Sequence, residues 1–254
     1  MPLRYSAWME PPAPTPLYEL DWRPECGSYM HVVCRASGKT VASVEVPPFL
    51  TFNYINAYEE TDPDGRTTAV VVDCCEHNAD ASILDRVRLD LLRSTSPGND
   101  ALPESSMEAV LTWLSIPAWI PLDGGLAGEL EAALDPSEHG RAVDICSINP
   151  AYRGRPYRYA YACGARHFPN TLTKVDLVER KATAWHEDGM VPSEPLFVPR
   201  PGETREDDGV VISLVIAKGG SGYAVLLDRT TFQEVARKFP YGLPLGHGCW
   251  IPRA

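Results

Sequence analysis

Six histidines and seven cysteines are the residues of this 254-residue chain best suited to metal or redox chemistry. The cysteines stand at 26, 34, 74, 75, 146, 163 and 249, an odd number scattered through a chain too long to need covalent staples, so a disulfide framework is not expected. A reducing compartment, cytoplasm or plastid, fits better. Cys74-Cys75-Glu76-His77 has the residue types of a metal site, but no second Cys/His pair follows at zinc spacing. Vicinal cysteines after Val70-Val71-Val72-Asp73 read instead as strand-end packing. With 23 Lys and Arg against 34 Asp and Glu, the net charge of −11 leaves no basic surplus for a polyanion, which excludes a nucleic-acid partner. The acidic run Glu203–Asp208 reads as a solvated loop.

The elements that must position such groups are strands. Apolar residues at 44% and charged residues at 22% are globular values, so the chain should bury a core. No apolar run reaches the roughly 18 residues of a membrane span, and Met1-Pro2-Leu3-Arg4-Tyr5 lacks a signal peptide's apolar core, so the chain reads as soluble. Nineteen glycines and 24 prolines punctuate short β-branched and aromatic runs, the look of a many-stranded all-β protein. Ser28–Val33 and Thr40–Val46 flank Ala36-Ser37-Gly38-Lys39 as one hairpin. Phe52–Glu59 and Thr67–Cys74 flank Asp62-Pro63-Asp64-Gly65 as another.

Further strands are expected at Tyr157–Cys163, Leu172–Val178, Ala182–His186, Leu196–Val198, Val210–Ile216, Ala224–Asp228, Val235–Phe239 and Gly246–Ile251, a spacing that suits a sandwich, barrel or propeller. Asp80–Arg93 has one apolar face, Ile83, Leu84, Val87 and Leu91, and predicts the one clear helix. Ser105–Ile116 carries a capping-box pattern and a strand alternation, of which the strand is preferred. Ser94–Pro103 and Pro121–Gly140 read as loops, the second a surface excursion with one helical turn at most. Pro11–Pro16 is a stiff connector.

Four stretches resemble the carotenoid cleavage oxygenase family, in order. Phe52-Asn53-Tyr54-Ile55-Asn56-Ala57-Tyr58-Glu59 is similar to its F-H-H-x-N-A-x-E signature, and Ile148-Asn149-Pro150-Ala151-Tyr152 with Gly154-Arg155-Pro156-Tyr157-Arg158-Tyr159 to its I-N-P-x-Y-x-G-x-P-Y-R-Y segment. Pro192-Ser193-Glu194-Pro195-Leu196-Phe197-Val198-Pro199, continued by Glu206-Asp207-Asp208-Gly209, is the third. Leu227-Asp228 through Glu234-Val235-Ala236-Arg237 to Gly246-His247-Gly248 is the fourth. The resemblance implies an all-β fold, the C-terminal portion of a seven-bladed β-propeller with few helices. It treats residues 1–254 as one incomplete domain, 1–27 an N-terminal connector and 28–254 family-like.

The family chemistry so implied is cleavage of a polyene double bond of a carotenoid or apocarotenoid by O₂ at a non-haem Fe(II). Four histidines hold the metal and three of them lean on glutamates. Imidazole suits Fe(II), and carboxylates orient the rings and raise their basicity. Carried over residue by residue, His247 takes the one ligand position that is still a histidine, and Glu194 and Glu234 match the glutamates that hold the third and fourth histidines. Asn53 occupies the third ligand position, a degenerate one, because an amide oxygen is a weaker donor than imidazole. The first two ligands belong to family segments upstream of this chain. Asp144 and Cys146 stand where the family shows Glu and Pro, and are expected to alter packing more than chemistry. His31, His77, His139, His167 and His186 match no ligand position and read as exposed or merely hydrogen-bonded.

Two functions compete. One is a carotenoid dioxygenase of which this chain carries an incomplete iron site and is inactive alone. The other is a non-catalytic remnant that binds a polyene or a partner protein. An open arc of propeller should also self-associate through unpaired sheet edges, and a full-length parent could touch a membrane peripherally.

Overall fold

A computed structural model describes residues 3–5, 20–77, 109–117, 129–140, 143–164, 170–217, 221–238 and Gly248. The described chain is built from strands: β1 (Leu3–Tyr5) pairs with β2 (Leu20–Trp22), and β3 (Ser28–Val33) with β4 (Thr40–Val46). Three larger antiparallel sheets follow. Sheet one runs β5 (Leu50–Thr61), β6 (Thr67–His77), β7 (Ala109–Pro117), β8 (Glu129–Ala132), and sheet two β9 (Val143–Ile148), β10 (Tyr159–Gly164), β11 (Thr171–Asp176), β12 (Lys181–His186). In sheet three, β13 (Met190–Pro192) and β14 (Leu196–Pro199) both pair with β15 (Gly209–Ala217), and β16 (Gly222–Asp228) and β17 (Glu234–Lys238) complete it. Successive up-and-down sheets of about four strands are the form of propeller blades.

The turns follow from their residues. Gly38 has φ +67° and Gly65 φ +77°, the left-handed conformation that a side chain resists, and Gly65 N–H closes its turn on Asp62 O at 2.9 Å. Both predicted hairpins therefore form, the second longer at each end than the alternation alone suggested.

Sheet two packs against both of the others through β10 and β11, which are buried on both faces; β10 is a near-continuous apolar run, whereas β11 buries Thr171, Thr173 and Lys174 among its apolar residues. Tyr161, Cys163 and Leu172 meet Phe197, Val211, Val225 and Phe232 of sheet three and its following turn, with Tyr161 stacked on Phe197 at 5.2 Å. Ala160, Ala162 and Val175 turn the other way, toward Ile55 and Tyr58 of sheet one. The period of two along β10 thus divides one strand between two interfaces.

Three expectations need correction. Pro121–Gly140 is not a surface excursion over its described part, because Glu129–Ala132 pairs with β7 and Ala133 and Leu134 are buried. The one helical turn is present as α1 (Pro136–His139), capped by Asp135, whose Oδ1 accepts from Ser137 N–H at 2.8 Å. The strand β9 was not anticipated, since Asp144 and a left-handed Ile145 (φ +52°) break its alternation at a β-bulge. Nor is Glu203–Asp208 a solvated loop: Glu206 accepts the backbone N–H groups of Arg158 (2.8 Å) and Tyr159 (2.7 Å), Asp207 holds Lys174 at 3.1 Å, and Asp208 pairs with Arg229 at 2.9 Å. Strand β7 bears out the strand reading over Ala109–Ile116. The helix at Asp80–Arg93, the loop at Ser94–Pro103, the connector at Pro11–Pro16 and all but one residue of Gly246–Ile251 lie outside the described residues.

Candidate functional site

The leading strands of the three sheets, β5, β9 and β14, converge on a cavity of about 550 Å³. Tyr54 and Ile55 come from β5, Cys146, Ser147 and Ile148 from β9, Leu196 and Phe197 from β14, and Glu194 and Gly248 close one side. In a stack of such sheets the leading strands line the common axis, where a ligand meets residues from every sheet.

Glu194 reaches the cavity because the strand carrying it is interrupted. Between β13 and β14 the segment Ser193-Glu194-Pro195 leaves the ladder, and its polar groups are taken up locally. Ser193 N–H donates to Leu214 O (2.7 Å), and the hydroxyl of Ser213 and the thiol of Cys163 donate to Ser193 O (2.8 and 3.2 Å). The Ser147 hydroxyl donates to Pro195 O across to sheet two. With its backbone so fixed, the Glu194 carboxylate accepts the N–H of Gly248 at 3.3 Å. His247, the predicted metal ligand, lies outside the described residues, but its neighbour Gly248 is thereby at the Glu194 carboxylate.

Asn53 is brought to an unforeseen partner. Its Nδ2 donates to Asp144 Oδ1 at 2.8 Å, across 91 residues of sequence. The same carboxylate accepts Ile145 N–H at 2.7 Å and His77 Nε2 at 3.2 Å. Asp144 is 4% exposed and His77 2%. Burial opposes ionisation of Asp144, but the donors from His77, Ile145 N–H and Asn53 outweigh it and hold the carboxyl below the usual carboxylate range. His77 is therefore a buried, carboxylate-held ring packed edge-on against Phe52 at 4.9 Å, not a surface histidine. Asp144 is not a mere packing substitution either, because it is the group that occupies Asn53.

Glu234 is placed elsewhere. It begins β17 on the outer side of sheet three, and its carboxylate takes Arg237 (Nε at 2.7 Å, Nη2 at 2.5 Å), which also binds Glu187 at 2.7 Å. Among the described residues no cluster of three or more His, Cys, Asp or Glu is arranged to hold a metal. The described residues thus do not amount to an iron centre. His31 bonds Ser43 (2.8 Å) and His186 bonds Asp188 (2.9 Å), as ordinary surface histidines do, whereas His167 lies outside the described residues.

Two other motif residues prove to be braces. Asn56 donates to Tyr152 O (3.2 Å) and Arg155 O (3.0 Å) and accepts Gly154 N–H (2.9 Å), tying β5 to the turn after β9. Asn149, 1% exposed, caps that turn through Ala151 N–H at 3.0 Å and donates to Glu206 O at 2.8 Å. The signal that could have found them is the residue type: a buried amide with a donor and an acceptor fits a backbone junction better than a metal.

Residues 2–252 match the family model described as retinal pigment epithelial membrane protein. The chain is 65% identical to carotenoid cleavage dioxygenase 8 homolog B, chloroplastic, of Oryza sativa subsp. japonica, across 100% of this chain and 44% of that protein. It is 55% identical to carotenoid cleavage dioxygenase 8, chloroplastic, of Arabidopsis thaliana, over 100% of this chain and 44% of that one. The chain spans less than half the length of these curated relatives. The crystal structure of cobalt-substituted Synechocystis ACO superposes with a TM-score of 0.68 at 24% identity, covering 87% of this chain and 43% of that one. At that identity the likeness speaks for the fold, and the fold is part of a β-propeller.

Proposed function

Because the chain belongs to the carotenoid oxygenase family, that of the retinal pigment epithelial membrane protein, we propose that it forms part of a carotenoid or apocarotenoid cleavage dioxygenase. It would supply one wall of the substrate cavity and part of the polar frame of an iron site. The observation that carries this reading is the cavity at the three leading strands, with Glu194 held at Gly248 beside His247. Tyr54, Ile55, Leu196 and Phe197 give it the apolar lining a polyene needs, and Glu194 stands at one side to orient a neighbouring imidazole.

In this reading residues 28–254 are the family-like part of one incomplete domain, and His247 is the ligand position the chain retains. Glu234 matches the glutamate that would hold it, and Glu194 the one that would hold a histidine at 53. The described residues do not make an iron centre, so no step is derived through the metal, and the chain by itself is expected to be inactive. The plant relatives are named chloroplastic, which supports a plastid setting for the parent protein. No helix among the described residues is long and apolar enough to cross a membrane.

A second reading, a non-catalytic polyene-binding or interaction remnant of the family, is favoured by one observation: the Asn53 amide is already bound to Asp144. Metal analysis of the purified chain beside His247→Ala and Asn53→His separates the two. Less than one iron per ten chains in the wild type, with a several-fold rise in Asn53→His that His247→Ala removes, supports the dioxygenase frame. Stoichiometric iron in the wild type together with carotenoid cleavage overturns the prediction of inactivity. No response to Asn53→His favours the remnant.

A further inference from the structure

Beside the Asp144 cluster two free thiols are in contact: Cys75 Sγ lies 3.4 Å from Cys146 Sγ. They belong to different sheets, Cys75 to β6 and Cys146 to β9, and are 71 residues apart. Cys75 is wholly buried, whereas Cys146 is half-buried and lines the cavity, so the pair has one member that a small molecule can reach. Cys74 and Cys163 differ on this point, since both are buried and neither lines the cavity, and Cys163 is engaged with Ser193 O. Cys146 also follows the left-handed Ile145 of the β9 bulge, where the backbone is released from regular pairing.

We propose that Cys75 and Cys146 are a reversible dithiol–disulfide pair which, oxidised by a small disulfide of the glutathione type, clamps sheet one to sheet two at the cavity wall. Closing the bond brings the sulfurs from 3.4 Å to about 2.05 Å. Cys146, as thiolate, attacks one sulfur of the disulfide. That S–S bond breaks, and the departing thiolate takes up the proton Cys146 lost. Cys75 then attacks Cys146 Sγ, the mixed disulfide breaks, and the second thiol leaves carrying the Cys75 proton. Two protein thiols are oxidised and one disulfide is reduced to two thiols. The bridge fixes Cys146 next to Asp144 and removes the thiol that faces the cavity.

The test equilibrates the purified chain with oxidised glutathione, alkylates the remaining thiols, and maps peptides by mass before and after reduction. Wild type and Cys74→Ser are expected to yield a linked peptide lighter by two hydrogens, whose cysteines alkylate only after reduction. Cys75→Ser should halt as a glutathione adduct on Cys146, and Cys146→Ser should leave Cys75 unmodified. The proposal is overturned by a wild type that gives no linked peptide, by an adduct that persists on Cys146 while Cys75 is present, or by loss of the link in Cys74→Ser. The wild type and Cys74→Ser retain both members of the pair, so a folding defect in the other variants does not decide the outcome.

Discussion

Replacing Asp73 by asparagine should stabilise the chain at neutral pH. Asp73 lies on β6, 4% exposed, and burial pushes its carboxyl from 3.8 up to about 6, with the Tyr157 hydroxyl offsetting part of the rise. A carboxyl raised on folding gives stability that is whole below the unfolded value and is lost as pH climbs through the folded one. The window therefore runs from about pH 4 to about pH 6, and stability falls across it. At about 1.4 kcal/mol per pH unit the displacement amounts to about 3 kcal/mol above pH 7. Asparagine has nearly the same shape and no proton to lose, so Asp73→Asn should unfold at about 1 M higher urea at pH 7.5 if the slope is about 3 kcal/mol/M. Near pH 4 the two proteins should coincide. Asp144, whose carboxyl is depressed, works in the opposite sense at lower pH, and because both proteins carry it, it cancels in the difference. Urea midpoints of the pair from pH 4 to 8 are the assay. Parallel curves, with no gap opening as pH rises, would refute the assignment of the buried carboxylate.

Asn56→Ala removes three hydrogen bonds at the junction of β5 with the turn after β9, and at about 1 kcal/mol each should cost about 2–4 kcal/mol, read as a lower melting midpoint. Gly209→Ala places a Cβ 2.3 Å from Val198 O and 2.7 Å from the Phe197 ring, so it should disrupt β14–β15 pairing. Gly38→Ala meets only its left-handed φ, and should lower the melting midpoint far less. Self-association is expected at micromolar concentration and is measured by light scattering with sizing. Val210, Ile212, Leu214 and Ile216 of β15 are part-exposed and add an apolar face to the open sheet edges; where that face contributes, Leu214→Lys with Ile212→Lys should shift the chain toward monomer.

The sequence by itself determined the elements whose cause is local. Gly38 and Gly65 specify the two hairpins, short apolar runs bounded by turn residues specify β15 and β16, and the four motifs in order specify the family, because turn chemistry and run length need no distant partner. What it left out are contacts between sheets. Strand β9 carries no clean alternation because its bulge serves the neighbours, and Glu206 reads as solvated until Arg158 and Tyr159, at the start of β10, offer it two N–H groups. The candidate site divides the same way. The resemblance to the family's motifs, and not residue type alone, marks Glu194, Glu234 and Asn53 as candidate site positions. Only the tertiary structure decided that Glu194 faces Gly248, that Glu234 is held by Arg237, and that Asn53 is bound to Asp144 beside a buried His77. A hydrogen bond spanning 91 residues of chain depends on how two sheets stack, and stacking is fixed by the summed burial of many side chains, which no single motif contains.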